Sequence, residues 1–160
     1  VHDPEVGGGR IVGEACHFID LVQFLTGSLL KSVSAISLQS SEKLYDNVVI
    51  CLETMNGSIA SISYFSNGSK QVSKEYLEVF CAGKSAIIDD FKKLTLADSK
   101  IQKFKSDQDK GYTEEINGFT NSILNGTASP ISADELYLSS LASLKVLESI
   151  QKGGEKIILS

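Results

Sequence analysis

From residue 30 to residue 104, Gly, Asn, Asp and Ser cut the chain into short runs rich in β-branched and aromatic residues. This punctuation limits the fold more than any other feature. Runs over Leu30–Gln39, Asn47–Met55, Ser58–Phe65, Tyr76–Cys81, Ser85–Asp89, Leu94–Ala97 and Ile101–Phe104 predict a largely antiparallel sheet. Helical periodicity frames them. Ile11, Ala15, Phe18, Val22 and Leu25 recur at helical spacing between Arg10 and Thr26, with Gly27 at the position of a C-cap. Tyr112, Ile116, Phe119 and Ile123 predict a second helix that ends at Asn125-Gly126. Ser132 and Glu135 form a capping box for a third, which carries Leu136, Leu144, Leu147 and Ile150 on one side, and Glu155–Leu159 supplies a last strand. The fold class is α+β, an open and largely antiparallel sheet with helices packed on one face. Repeats, low-complexity tracts and long linkers are absent, so residues 1–160 read as one domain.

Asn56-Gly57 predicts a two-residue type I′ hairpin turn, and pairing outward from it fixes the faces of the ribbon. Cys51, Ile62, Val49 and Tyr64 fall on one face, and Leu52, Ile59, Ile50, Val48 and Phe65 on the other. A sheet apolar on both sides needs cover on both, helices on one side and a second copy of the chain on the other. The competing reading is that Ser34, Ser37, Ser61 and Ser63 keep one face wet.

Composition narrows the partners. The 160 residues are 42% hydrophobic, enough for a sizeable core, and Lys+Arg 15 against Asp+Glu 20 gives a net charge of -5. That field repels nucleic acid and anionic membrane surfaces, and no apolar run approaches the ~20 residues that span a bilayer. A soluble, cytoplasmic protein is expected. Cys16, Cys51 and Cys81 read as small buried hydrophobes in a reducing compartment, and Asn56-Gly57, Asn67-Gly68 and Asn125-Gly126 as turns rather than glycosylation sites. The opening at Val1, in a polar His-Asp-Pro-Glu stretch, is what a segment of a longer polypeptide would show.

Chemistry concentrates at the front. On a helical wheel Arg10, Glu14, His17 and Leu21 share one side, with Asp20 one turn from His17, and Gly7, Gly8 and Gly9 precede the helix. The glycines permit close approach of a ligand to amide groups that favour an anion or a polarised oxygen. A helix-borne His flanked by carboxylates suits general acid/base work, because its unperturbed pKa of ~6.5 lies near working pH. Spacing alone equally fits a solvated histidine and an ordinary Arg10–Glu14 i,i+4 pair. No metal site is expected, since His2 has no fixed relation to His17, Glu14 and Asp20.

The stretch Gly7-Gly8-Gly9-Arg10-Ile11-Val12-Gly13-Glu14-Ala15-Cys16-His17-Phe18-Ile19-Asp20-Leu21 resembles the start of the C-terminal domain of the Gfo/Idh/MocA family of NAD(P)-dependent oxidoreductases. That resemblance implies an open sheet with helices on one face, its other face serving as the interface of a homo-oligomer. It implies a sugar, inositol or related polyol as substrate. It also makes His17 the catalytic acid/base, with Glu14 and Asp20 orienting it. Gly13 stands where the family's usual Asp would be, and Glu14 is expected to take over that role. Gly8, Gly9 and Arg10, with Tyr64, Asn67 and Lys74, are the candidate substrate contacts. The family's glycine fingerprint and Glu-Lys-Pro motif are not in this sequence. The expectation is therefore a substrate-binding and oligomerisation half, silent alone, with NAD or NADP bound mainly by an N-terminal Rossmann domain. Two alternatives stay open: a non-catalytic oligomerisation or binding module that kept the fold, and a self-contained hydrolase or lyase using Glu14 and His17.

Overall fold

The computed structural model describes residues 9–38, 45–109 and 111–159 and divides the chain into two compact units. The first comprises Val1–Asn67 with Ala128–Ser160, and the second Gly68–Thr127. In the first, a π-helical turn over Ile11–Ala15 leads into α1 (Cys16–Thr26), then β1 (Leu30–Ser37), β2 (Asn47–Thr54) and β3 (Ile59–Phe65). The second contains β4 (Tyr76–Cys81), β5 (Lys84–Asp89), β6 (Lys93–Ala97), β7 (Ile101–Lys105) and α2 (Tyr112–Asn125). The chain then returns to the first unit as α3 (Ala133–Gln151) and β8 (Ile157–Ile158). The fold is α+β with open antiparallel sheets. The strands do not form one sheet, however; they divide into two four-stranded sheets, ordered β3-β2-β1-β8 and β4-β5-β6-β7. Gln39, expected to end β1, lies outside the described residues.

In the first unit, α1 and α3 cover one face of the sheet. The buried Val48, Ile50 and Leu52 of β2 meet Ile11, Ala15 and Ile19 on one helix and Ala142 and Val146 on the other in one core. Each fully buried isoleucine there contributes about 1.5–3 kcal/mol by leaving water.

The hairpin between β2 and β3 corrects the expected register. Thr54 N–H donates to Ser58 at 3.0 Å and Gly57 N–H to Thr54 at 3.0 Å, so the loop is Met55-Asn56-Gly57, with Gly57 at φ +85°. This is a type I turn closed by a left-handed glycine, one residue longer than a type I′ loop. One residue reverses the assignment of faces. Ile50 now opposes Ile62 and Val48 opposes Tyr64 toward the helices, while Cys51 opposes Ser61 and Val49 opposes Ser63 on the open side. The sheet has one apolar face and one mixed face, on which Ile36, Ile59 and Phe65 stand exposed among the serines. A two-residue turn with both residues at positive φ does occur, at Ala82-Gly83 between β4 and β5.

Both helix stripes are also turned relative to expectation. The π-helical turn widens the start of the first helix, so the buried positions run Ile11, Ala15, Ile19 and Gln23, while Leu25 is exposed. α3 buries Ser139, Ala142, Ser143, Val146 and Ser149 rather than Leu136 and Leu144, which are exposed. Small residues bring α3 close to β1, where the Ser149 hydroxyl accepts from Ala35 N–H at 2.9 Å and donates to the Glu155 carbonyl at 2.6 Å. Cysteines, too, depart from the expected burial: Cys16 is half-buried, whereas Cys51 on the open face and Cys81 at the end of β4 are exposed.

Candidate functional site

Two polar clusters lie along the first helix, one at its π-helical start and one in α1. Gly9, buried at φ +79°, admits the chain to the helix in a conformation that costs other residues about 1–2 kcal/mol. Cys16 N–H then donates to the Ile11 carbonyl five residues back, the bond that defines the wide turn. Such turns recur at functional sites.

On the sheet side, Arg10 Nη1 donates to Glu14 Oε1 at 3.2 Å and to the Tyr64 hydroxyl at 3.3 Å, and Tyr64 donates its own proton to Glu14 Oε2. Arg10 Nε pairs with Asp46 Oδ2 at 3.4 Å. The Tyr64 hydrogen bond raises the Arg10 pKa further; burial, reinforced by Glu14, pushes the Tyr64 phenol up. Glu14 is thereby engaged by the two neighbours that fasten the start of the helix to β3. Asn67, exposed just past β3, has its backbone N–H fixed by Asn47 Oδ1 at 3.2 Å. Burial raises the half-buried Cys16 thiol.

Further along the helix, His17 and Asp20 line a hollow with Leu21, Gln23, Phe24 and Ile131. His17 is exposed, and among the described residues its imidazole has no hydrogen-bond partner. Asp20 Oδ1 accepts from the Ser139 hydroxyl at 2.9 Å. That hydroxyl in turn accepts from Gln23 Nε2 at 2.8 Å. Gln23, 1% exposed, also donates to the Glu135 carbonyl at 3.0 Å and accepts from Leu30 N–H at 3.3 Å. α1, α3 and β1 thus meet in one satisfied amide beneath the hollow. Chemically, the hollow offers a proton acceptor open to a ligand beside an anchored carboxylate.

The structure therefore brings together Arg10, Glu14 and Tyr64 as one group, and His17 with Asp20 as another. Gly8 lies outside the described residues. Lys74 belongs to the second unit, with its side chain 79% exposed and paired with Glu75 at 3.7 Å. Sequence reasoning missed Asp46, Gln23 and Ser139. The serine-rich face of α3 was the available signal for Ser139; Gln23 sits where the stripe predicted polar surface.

An open antiparallel sheet carrying two helices on one face, with an exposed imidazole on the first of them, defines the first unit of this α+β chain. Residues 1–86 match the GFO/IDH/MocA C-terminal domain, and the chain belongs to that family. No curated protein matches it. Among solved structures, an aldose-aldose oxidoreductase from Caulobacter crescentus complexed with glycerol is similar at 13% identity and a TM-score of 0.81, over 99% of this chain and 50% of that one. Levoglucosan dehydrogenase in complex with NADH and levoglucosan is similar at 18% identity and a TM-score of 0.80, over 98% and 52%. The UDP-N-acetylglucosamine 3-dehydrogenase from Acidithiobacillus ferrooxidans reaches 18% identity and a TM-score of 0.77, over 94% and 50%. These likenesses are of fold, and the chain spans about half the length of the proteins it matches.

Proposed function

We propose that this chain is the substrate-binding half of a cytoplasmic, nicotinamide-dependent oxidoreductase that acts on a hydroxyl or ketone of a sugar, inositol or related polyol. The observation that carries the reading is His17, exposed at a hollow on a domain of this family, with an anchored carboxylate one helical turn away. His17 accepts the proton of the substrate hydroxyl as hydride leaves the same carbon, and returns it to the carbonyl oxygen in the reverse direction. Asp20 orients the imidazole. Glu14 acts on it less directly, holding the start of the helix through Arg10 and Tyr64. Arg10, Tyr64 and Asn67, with Gly8 and Gly9 ahead of them in the chain, are the proposed substrate contacts.

NAD or NADP supplies the hydride acceptor when bound. Leu21, Phe24 and Ile131 beside His17 suit the flat face of such a ring, and the described residues include no strand followed by a glycine-rich phosphate cradle. We assign the dinucleotide chiefly to a separate domain, and to this chain only the substrate side. The mixed face of the first sheet, with Ile36, Ile59 and Phe65, is the proposed homo-oligomer contact.

In the full-length protein, His17→Ala should lower kcat by about 10²–10⁴-fold with a responsive polyol while NAD(P)H binding persists, the range expected for loss of a general acid/base. Unchanged turnover would refute the assignment. One observation favours a non-catalytic module instead: Gly13 is exposed where a carboxylate would stand, and Glu14 is already engaged by Arg10 and Tyr64. Full cofactor binding without turnover across a polyol panel is the outcome that reading requires.

A further inference from the structure

Ser139 lies 119 residues from Asp20 in sequence, on a different helix, yet its hydroxyl oxygen stands 2.9 Å from Asp20 Oδ1. The direction of that hydrogen bond follows from its surroundings. Gln23 is 1% exposed and its side-chain amide can be oriented only one way: the oxygen accepts from Leu30 N–H, so Nε2 must donate, to the Glu135 carbonyl and to Ser139 Oγ. Having accepted from Gln23, the Ser139 hydroxyl has one proton to give, and the carboxylate of Asp20 is its acceptor. The relay runs Gln23 to Ser139 to Asp20, from a buried and fully bonded amide to the wall of the hollow.

We infer that Ser139 is a positioning residue: it ties one oxygen of Asp20 to α3 and so leaves Oδ2 for the imidazole N–H of His17, a bond that the exposed ring does not make in this structure. This rests on the reading that His17 is the acid/base. His17 and Asp20 are separated by three residues within α1, neighbours on one helix face, and they line the same hollow. An aspartate without the tie has its rotamers open to it; an aspartate with the tie presents a fixed oxygen. A carboxylate can only accept, so an imidazole nitrogen that meets Asp20 must carry the proton, and the opposite nitrogen is then left as the base for the substrate hydroxyl. The tie therefore acts on tautomer and basicity, beyond its share in joining α1 to α3.

The test needs no substrate. Diethyl pyrocarbonate acylates the neutral imidazole nitrogen, and its rate at His17 can be followed by peptide mapping in the full chain, with His2 as internal reference. The reaction is run about two pH units above the ordinary imidazole value, so that protonation does not contribute. Asp20→Asn and Ser139→Ala should each slow acylation of His17 by about threefold or more, the size of one modest hydrogen bond. Ser139→Thr, which keeps the hydroxyl, should keep the rate, with melting temperatures recorded for every variant. If Asp20→Asn slows His17 but Ser139→Ala does not, the positioning role is overturned while the pairing of His17 with Asp20 stands. If Asp20→Asn has no effect, the pairing fails and the inference with it. A Thr variant as slow as the Ala variant would also overturn it, by tracing the effect to packing rather than to the hydroxyl.

Discussion

Glu53 of β2 ties that strand to β1 and to the residue before β8, and sets an acid limit on the first sheet. Its carboxylate accepts from Lys31 Nζ at 2.7 Å, from Ser32 Oγ at 3.2 Å and from Lys156 beside β8. Hydrogen bonds from Lys156 first and Lys31 second hold its pKa at about 2. Glu148, between Lys145 and Lys152, is likewise held at about 2. Both values lie below those of the unfolded chain, so their stabilisation is complete above the ordinary carboxylate range and is lost as pH falls from there toward about 2. Melting temperature measured against pH should therefore fall across that window, and Glu53→Gln should flatten the fall; an unchanged acid limb would assign it to other groups. The residues that matter at this scale differ in how far the sequence exposes them. His17, Glu14 and Arg10 are visible because they stand close together in sequence, along one helical stretch. Ser139 and Asp46 are not, because their partners lie far away in sequence and only the folded chain makes them neighbours.

At the scale of elements, local chemistry specified ends better than faces. The Ser132–Glu135 capping box forms as the sequence predicts, with Glu135 N–H donating to Ser132 Oγ at 3.2 Å, and Gly27 and Gly126 close α1 and α2 in left-handed conformations. The β2–β3 register was not legible, because distant residues select the loop. Asn56 Nδ2 donates to the Thr26 carbonyl and Asn56 N–H to Ser28 Oγ, both at 3.1 Å, which ties the turn to the end of α1. Once three residues form the loop, Gly57 must hold its positive φ. Gly57→Ala meets no atom within 4 Å, so its cost is one of backbone conformation, about 1 kcal/mol by chemical denaturation. A neutral result would mean that the loop readily adopts another turn. The stripes of α1 and α3 hold in part, with Ile11 and Ala15 in the core and Val22, Leu147 and Ile150 packed against it, while a π-helical turn and a face of small residues leave Leu25, Leu136 and Leu144 exposed.

For the molecule as a whole, the first unit has a mixed sheet face and, on its helical side, the hollow at His17. Exposed Ile59 and Phe65, at 83% and 57%, lie on β3 at the edge of the sheet, an unfavourable display for a lone protomer. If this face is the proposed homo-oligomer contact, lysine at both positions should reduce the mass measured by light scattering to that of one protomer while the far-ultraviolet dichroism is preserved; an unchanged mass would refute that proposal. No helix among the described residues is long and apolar enough to cross a membrane. The catalytic role proposed for His17 is tested by a crystal structure of the full-length protein with NAD(P)H and a polyol that it turns over. The reacting oxygen of the polyol is expected within about 2.6–3.2 Å of a His17 ring nitrogen. A polyol bound with its reacting oxygen against other residues, and His17 facing solvent, would contradict it.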